Sequence, residues 1–185
     1  IPDQLIDRTS LRDNTFFGKG LTAHISFADP FCTELSTLLA QSGRNTTAAI
    51  HEGGTCIVME GPAFSTKAES QLYRSWGADI IGMTALPEAK LAREAEICYS
   101  MLACVTDYDV WHESESTVTV DMIVANLFKN VAVAQQVLLD LVPNLTNPRM
   151  CGCVNALKDT IITAPEKLDE AIDRRLSAII GKYRQ

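Results

Sequence analysis

Two carboxylates with a spacing that suits acid–base chemistry stand near the middle of this chain, at Asp107 and Asp109. They follow the apolar run from Cys98 to Val105, and a run of this length predicts a buried strand. Strand side chains point to the same side at every second position, so both acids would face one place. In an α/β protein the carboxyl end of a strand is where ligands bind. One such acid can accept a hydrogen bond from an amino group, and the other can carry a proton to a basic ring nitrogen.

Two further predicted strand ends carry groups that suit a planar ligand. The loop Gly61–Ser65 joins a strand to a helix, and its Phe64 either stacks on a planar ring or plugs the end of the sheet. Met83 and Thr84 lie at the end of another strand, where they offer an adaptable apolar surface and a hydroxyl group, although ordinary core and turn packing also explains them. Because the carboxyl ends of the strands meet at one edge of a sheet, we expect all three strand ends to converge.

Other interpretations of the polar residues stay open. Asp107 and Asp109 could instead cap the following turn or form half of a metal site, with Glu113 and Glu115 as further ligands. His24 lies in an otherwise apolar segment and is by default a structural histidine. The chain contains neither G-x-G-x-x-G nor a P-loop, so we expect no cofactor, and only a minority of the donors to any phosphate.

The chain has six cysteines. Cys32, Cys56, Cys98 and Cys104 lie in apolar segments, where a cysteine packs as a small hydrophobic residue. Cys151-Gly152-Cys153 is a single Cys-x-Cys pair, which offers too few ligands for a zinc site by itself. A disulfide or a redox pair is an alternative there, but two reduced thiols are the simpler interpretation. The sequence therefore predicts no metal site.

The composition excludes some classes of protein. The 185 residues are 46% hydrophobic, with a net charge of −7 and a pI of about 4.9. That balance argues against a nucleic-acid surface, which needs clustered Lys and Arg.

No apolar stretch reaches the ~20 residues of a membrane helix, and no secretory signal is visible, so we expect a cytoplasmic location. The chain begins at Ile1 without Met, in a stretch that already resembles ordered structure, and we expect it to come from a longer protein.

Alternating strand and helix signals predict an α/β fold. We expect one domain over residues 1–185 that is incomplete at its N-terminus, with a mixed, largely parallel central sheet and helices on both faces. The predicted strands are a short one at the start, then Leu21–Phe27, Thr46–Glu52, Thr55–Glu60, Asp79–Met83 and Cys98–Thr106. The predicted helices run from Asp29-Pro30 to Ser42, from the capping box Thr66-x-x-Glu69 to Gly77, from Pro87 to Ala95, from Thr119 to Pro143 and from Pro165 onwards. The fourth helix has apolar residues at helical spacing, namely Ile123, Leu127, Val131, Ala134, Leu138 and Val142.

Several of these stretches together resemble the trimeric purine nucleoside phosphorylase family, in its branch that cleaves 5'-methylthioadenosine. The stretches are Asp3–Thr9, Ala28–Cys32, Gly61–Ser70, Trp76–Thr84, Pro87-Glu88 and Ala103–Asp109, so the resemblance covers most of residues 1–142. Residues 151–158 resemble the cysteine-containing tail of archaeal-type members. The sequence departs from the family in lacking its first third, which carries a Gly-rich phosphate loop and an Arg-His pair, and in having Ala63 where many relatives have Arg.

The resemblance implies a reaction and roles for residues at matching positions. Phosphate would attack C1' of 5'-methylthioadenosine, giving adenine and 5-methylthioribose 1-phosphate, and the partners would be the other subunits of a homotrimer, or a larger assembly with a separate N-terminal chain. Phe64 would stack on the base, Ser65 would line its pocket, Asp107 would donate to N7 and Asp109 would accept from the 6-amino group. Met83 would hold the ribose, Thr84 would bind phosphate, and His24, Val120, Ile123 and Val124 would form the alkylthio pocket.

The physical chemistry agrees with those roles. Protonation of N7 neutralises the departing purine, and a raised pKa in the acid would be favoured by a like-charged neighbour and by burial. Ser65 and Asp107 replace the Glu and Asn of relatives that prefer 6-oxopurines, so a 6-amino group is matched. The alternatives are a phosphorylase of broader purine specificity and a non-catalytic nucleoside-binding chain.

Overall fold

The computed structural model describes residues 1–18, 20–111, 120–145 and 148–184. Its strands are β1 (Gln4–Arg8), β2 (Thr55–Met59) and β3 (Ile80–Gly82). Its α-helices are α1 (Thr33–Arg44), α2 (Lys67–Ser75), α3 (Glu88–Glu94), α4 (Val120–Leu141) and α5 (Glu170–Ile180). Short 3-10 turns cover Val142–Asn144, Gly152–Asn155, Pro165–Lys167 and Gly181–Tyr183. None of the helices in these ranges is long and apolar enough to cross a membrane.

The three strands form one parallel sheet in the order β1-β2-β3. Cys56 of the central strand lies opposite Leu5 on one side and Ile80 on the other. The segment Cys56–Val58 is fully buried, because β2 has a strand on each side and packing on its faces. A continuous apolar run is what such a strand requires. The prediction of an α/β fold with a parallel sheet is therefore confirmed.

The capping box predicted at the start of α2 is present. The Glu69 N–H donates to Thr66 Oγ1 at 3.2 Å, and the Thr66 N–H donates back to Glu69 Oε2 at 2.7 Å. Gly77, with φ +80°, lies just after the helix and allows the chain to turn away. The boundaries of this helix follow from local chemistry alone, and they agree with the prediction.

Two helices begin later than predicted. α1 begins at Thr33 and not at Pro30, because the preceding Cys32 N–H donates to the carbonyl of Tyr99 at 2.7 Å and holds the chain in an extended conformation. α5 begins at Glu170 because Asp169 caps it, accepting from the Ile172 N–H at 2.7 Å. Pro165 begins only a short 3-10 turn.

Three buried clusters hold these elements together. The first joins the sheet to α3, the second joins α1 to α4, and the third joins α5 to the loops near residues 17–21 and 157. Their buried members are, in that order, Cys56, Val58, Ala85, Leu86 and Ala89; Leu39, Val137 and Leu141; and Phe17, Leu21, Leu157, Leu176 and Ile180.

Two predicted strands are wrong. Leu21–Phe27 pairs with another segment at a single bridge, between Ala23 and Ile161, instead of along a ladder. Thr46–Glu52 folds back on the end of α1: both the N–H and the hydroxyl of Thr46 donate to the Gly43 carbonyl. Such side-chain bonds to nearby backbone compete with sheet pairing.

The predicted strand Cys98–Thr106 is also wrong within the described residues, where this segment joins no sheet. Its carbonyl groups find other partners. Asn130 and Asn126 of α4 donate their side-chain amides to the carbonyls of Val105 and Thr106, each at 2.9 Å. The segment is therefore tied to a helix where a strand neighbour was expected.

The predicted helix α4 is present, but much of its apolar face is exposed. Val137 and Leu141 are buried against α1. Leu127, Val131, Leu138 and Val142, which belong to the predicted apolar stripe, are all exposed, as are Phe128 and Leu139. The helical periodicity was therefore a correct guide to the helix and a poor guide to what it buries.

Candidate active site

The loops that follow β2 and β3 meet at the carboxyl edge of the sheet. Gly61 has φ +72°, and a Cβ atom placed on it would lie 2.8 Å from Met83 Sδ. The positive backbone angle favours glycine here, and any larger residue would also have to displace the Met83 side chain. Two of the three predicted strand ends are thus in contact, as predicted.

Arg12 binds these two loops to one another, a role that no motif in the sequence indicates. Its Nη1 donates to the Met83 carbonyl at 2.6 Å and also to the Leu86 carbonyl. Its Nη2 donates to the carbonyls of Met59 at 3.2 Å and Glu60 at 2.8 Å, and its Nε donates to Glu60 Oε1 at 3.1 Å. A guanidinium group has five N–H donors, and all of them are used.

Glu60 completes this connection from the other side. Its Oε2 accepts the N–H of Ser10 at 2.6 Å and that of Leu11 at 3.3 Å. The Ser10 N–H and the Arg12 guanidinium together hold the pKa of the Glu60 carboxyl below its usual value. The segment after β1 is therefore fixed to the ends of β2 and β3 by a charged pair and main-chain bonds.

Asp109 is anchored to the start of α2. Its Oδ2 accepts from the hydroxyl of Ser70 at 2.5 Å, and its Oδ1 accepts from the Val110 N–H at 2.9 Å. Ser70 is buried and lies in the first turns of α2. The Arg74 guanidinium, one turn further along, lies 3.7 Å from the ring centroid of Trp111. Residues four apart share one face of a helix, so two contacts hold residues 109–111 against the same side of α2.

Asp107 is exposed, which corrects the expectation that burial surrounds both acids. Its Oδ2 accepts from the hydroxyl of Thr106 at 2.6 Å, while Asp109 is half-buried. The reason is the missing strand: the segment before Asp107 is bound by asparagines of α4, and not enclosed in a sheet.

The remaining predicted residues differ in exposure. Ser65 is buried, and its hydroxyl lies 3.6 Å from Met59 Sδ. Phe64 is 82% exposed, which argues against the alternative that it plugs the end of the sheet. Met83 is half-buried, whereas Thr84, His24 and Val124 are exposed. The side chains of Val120 and Ile123, and the whole of Glu113 and Glu115, lie outside the described residues.

A cluster of thiols lies away from these loops, and the spacing of the cysteines did not predict it. The Sγ atoms of Cys32, Cys98, Cys151 and Cys153 all lie within 4.8 Å of one another. Burial, followed by the nearness of Cys32, raises the pKa of the Cys153 thiol. Cys-x-Cys alone is too small a ligand set, but the fold adds two further sulfur atoms to it.

Comparison with known proteins relates this arrangement to one family. A family model described as "Phosphorylase superfamily" matches residues 1–143. The chain belongs to the phosphorylase superfamily. That membership confirms the resemblance noted for the motifs at residues 61–70, 76–84 and 103–109.

Individual members of the phosphorylase superfamily match almost the whole chain. The S-methyl-5'-thioadenosine phosphorylase of Geobacter sulfurreducens is 53% identical over 184 residues, which are 99% of this chain and 64% of that protein. The one from Gloeobacter violaceus is 53% identical over 98% of this chain and 62% of its own length. The chain thus spans slightly less than two thirds of these curated relatives.

Solved structures give the same result. A methylthioadenosine phosphorylase sourced from an antarctic soil metagenomic library has a TM-score of 0.88 and 44% identity, over 96% of this chain and 63% of that one. Methylthioadenosine phosphorylase from Schistosoma mansoni in complex with adenine has a TM-score of 0.73 and 29% identity, over 98% of this chain and 64% of its own. The α/β fold of the superfamily is therefore shared by this chain.

Proposed function

We propose that the protein containing this chain catalyses phosphorolysis of 5'-methylthioadenosine to adenine and 5-methylthioribose 1-phosphate. The observation that carries the proposal is the hydrogen bond between Asp109 and Ser70, which holds an acid beside the first turns of α2. Phe64 and Ser65 lie in the loop that leads into this helix. That is where an adenine ring can stack on an aromatic face and meet an acceptor at its edge. Relatives that share about half of their aligned residues with this chain are named for the same activity.

Asp109 has acceptor capacity to spare for the 6-amino group. Each of its oxygens accepts one bond, from Ser70 and from the Val110 N–H. A carboxylate offers roughly four acceptor positions. The two existing bonds fix the carboxylate, and the open positions can accept from an amino group. The oxygen of a 6-oxo group is itself an acceptor, so it could not form a hydrogen bond with the Asp109 carboxylate.

Asp107 is the proposed general acid. As the glycosidic bond breaks, the ribose becomes cation-like and the purine gains electrons, so a proton delivered to N7 stabilises the leaving group. General acid catalysis of this kind contributes roughly 10²–10⁴-fold. Asp107 is exposed in the single chain, and a purine bound beside it would shield it from water.

The other predicted residues complete the pocket in this proposal. Met83, positioned by Arg12 through its carbonyl, would lie against the ribose, and Thr84 would donate to phosphate. The alkylthio group would contact His24, Val120, Ile123 and Val124. Phosphate is a substrate here, and we propose that no cofactor takes part in the reaction.

We further propose that the protein works as a homotrimer, or in a larger assembly with a separate N-terminal chain. The exposed apolar side chains of α4 support an assembly, since Phe128 is 71% and Leu139 77% exposed in the single chain. A location in the cytoplasm is part of the same proposal.

The test is product release by the full-length protein with phosphate present. We expect adenine from 5'-methylthioadenosine and much slower release of hypoxanthine from inosine. Asp107→Asn should lower kcat by roughly 10²–10⁴-fold. Asp159→Asn is the matched control: it is an exposed aspartate with φ +61°, which asparagine tolerates, so its kcat should not change.

Two results would contradict the proposal. Equal or faster cleavage of inosine would favour the phosphorylase of broader specificity. Nucleoside binding by calorimetry, with no phosphate-dependent release of base, would favour a non-catalytic binding chain. Full activity of Asp107→Asn would remove only the assignment of the acid.

A further inference from the structure

Four cysteines from three separate parts of the chain converge on one point. Cys32 directly precedes α1, Cys98 follows α3, and Cys151 and Cys153 lie at the start of the 3-10 turn Gly152–Asn155. All four Sγ atoms lie within 4.8 Å of one another, and those of Cys98 and Cys151 are 3.3 Å apart. No other group of three or more potential metal ligands occurs in the described ranges.

The spacing of these sulfur atoms fits a tetrahedral ion. With Zn–S bonds of about 2.3 Å, the edges of a ZnS₄ tetrahedron are about 3.8 Å long. The 3.3 Å separation of Cys98 and Cys151 lies near that edge length and far from the about 2.05 Å of a disulfide bond. The separation of 3.3 Å for one pair, and the limit of 4.8 Å for all pairs, lie on either side of that edge length.

The surroundings suit a negatively charged centre. Arg149 Nη1 donates to Cys98 Sγ at 3.5 Å, and the same atom is fixed by the Glu96 carbonyl at 2.9 Å. Four thiolates around a divalent ion carry a net charge of −2, which a neighbouring guanidinium partly offsets. A tetrahedral set of thiolates, which are soft ligands, is typical of a zinc site.

The backbone of the ligands is held in place without the ion. The Cys151 N–H donates to Glu34 Oε2 at 2.9 Å, and the Cys32 N–H donates to the Tyr99 carbonyl at 2.7 Å. Cys32 and Cys153 are buried, whereas Cys98 and Cys151 are half-buried. A cavity of about 420 Å³, lined by Cys32, Cys98, Glu34 and Arg149 among others, gives an ion access to the sulfur atoms.

We propose that Cys32, Cys98, Cys151 and Cys153 bind one Zn²⁺ ion as a structural tetrathiolate site. Binding releases four protons, one from each thiol, and involves no change of oxidation state. The ion would join the C-terminal turn to α1 and to the segment that leads from Cys98 to the aspartates. This site is independent of the proposed activity, because none of its ligands belongs to the nucleoside pocket.

The first experiment is elemental analysis of the full-length protein, purified without chelators or a metal-affinity tag. We expect one zinc per chain, and its loss in Cys151→Ser and Cys153→Ser. Cys104→Ser is the matched control, since Cys104 is exposed and outside the cluster, and it should keep its zinc. Replacement of the zinc by Co²⁺ should give the thiolate charge-transfer and visible bands of tetrahedral Co(II), a readout that needs no variant.

Three outcomes would overturn the site. Intact mass after alkylation under denaturing conditions could show that cluster thiols are paired as disulfides. The protein could contain iron in place of zinc. Alternatively, the reduced protein could fail to take up Zn²⁺ or Co²⁺ with the expected spectrum. If the serine variants do not fold, the wild-type metal content, Co²⁺ spectrum and thiol count still decide the question.

Discussion

Replacement of Arg12 tests the arrangement of the loops at the sheet edge most directly. All five N–H groups of its guanidinium are used, four on main-chain carbonyls and one on Glu60. Methionine at this position keeps much of the side-chain volume and removes every donor. The carbonyls of Met59, Glu60, Met83 and Leu86 would then lose a charged partner.

The structure sets the size of the expected effect. A hydrogen bond to a charged group contributes about 1.5–3 kcal/mol, but bonds that share one guanidinium are not additive. The Arg12 side chain is 19% exposed, so water can replace part of what is lost. We therefore expect Arg12→Met to lower the free energy of unfolding by about 3 kcal/mol. Arg12→Lys, which keeps the charge and loses the planar fork, should cost about half as much.

The measurement is a guanidinium chloride unfolding curve of the full-length protein, followed by circular dichroism. Arg174→Met is the control, because Arg174 is exposed on α5 and its Nε donates to the Glu170 carbonyl at 3.3 Å, within the same helix. Its effect should stay within about 0.5 kcal/mol. If Arg12→Met falls within the same range, Arg12 does not hold the loops together and the reasoning is refuted.

Two further predictions concern the same sheet edge and the C-terminal half. Gly61→Ala should destabilise the protein by about 1–3 kcal/mol and raise KM for the nucleoside, because its Cβ would collide with Met83 Sδ. Gly77→Ala is the control, because Gly77 also has a positive φ but a Cβ atom placed on it would lie within 4 Å of no other atom. Equal effects of the two variants on KM would contradict a role for the collision. Burial opposes ionisation of Glu96, but bonds from Lys182 and Tyr183 outweigh it and lower the pKa. A lowered folded-state pKa gives stability that is present above the unfolded value of about 4.3 and is lost as the pH falls through the folded value. Unfolding curves from pH 6 to pH 3 should show this loss in the wild type and in the exposed control Glu166→Gln. Glu96→Gln should lose less stability than the wild type over this range, and the loss that remains comes from other carboxyls of lowered pKa such as Glu60. A loss equal to that of the wild type would exclude the assignment.

Local chemistry explains the elements that were predicted correctly. Thr66 and Glu69 satisfy one another's donors at the start of α2, and this depends on a few adjacent residues only. β2 is a short run of β-branched and apolar residues that suits the centre of a sheet. Cys98–Thr106 has a similar composition, yet its hydrogen-bond partners are side chains of α4, so composition alone could not decide its structure.

The sequence by itself determined the family, the α/β class and the identity of the residues proposed for the nucleoside pocket, because these depend on motifs that lie within short stretches of chain. Only the tertiary structure decided that Asp107 is exposed, that Arg12 joins the two loops, and that four distant cysteines share one point. Each of these depends on contacts between residues far apart in the chain. The spacing of these residues in the sequence does not indicate such contacts, because burial and hydrogen bonding are determined only when the separate elements pack.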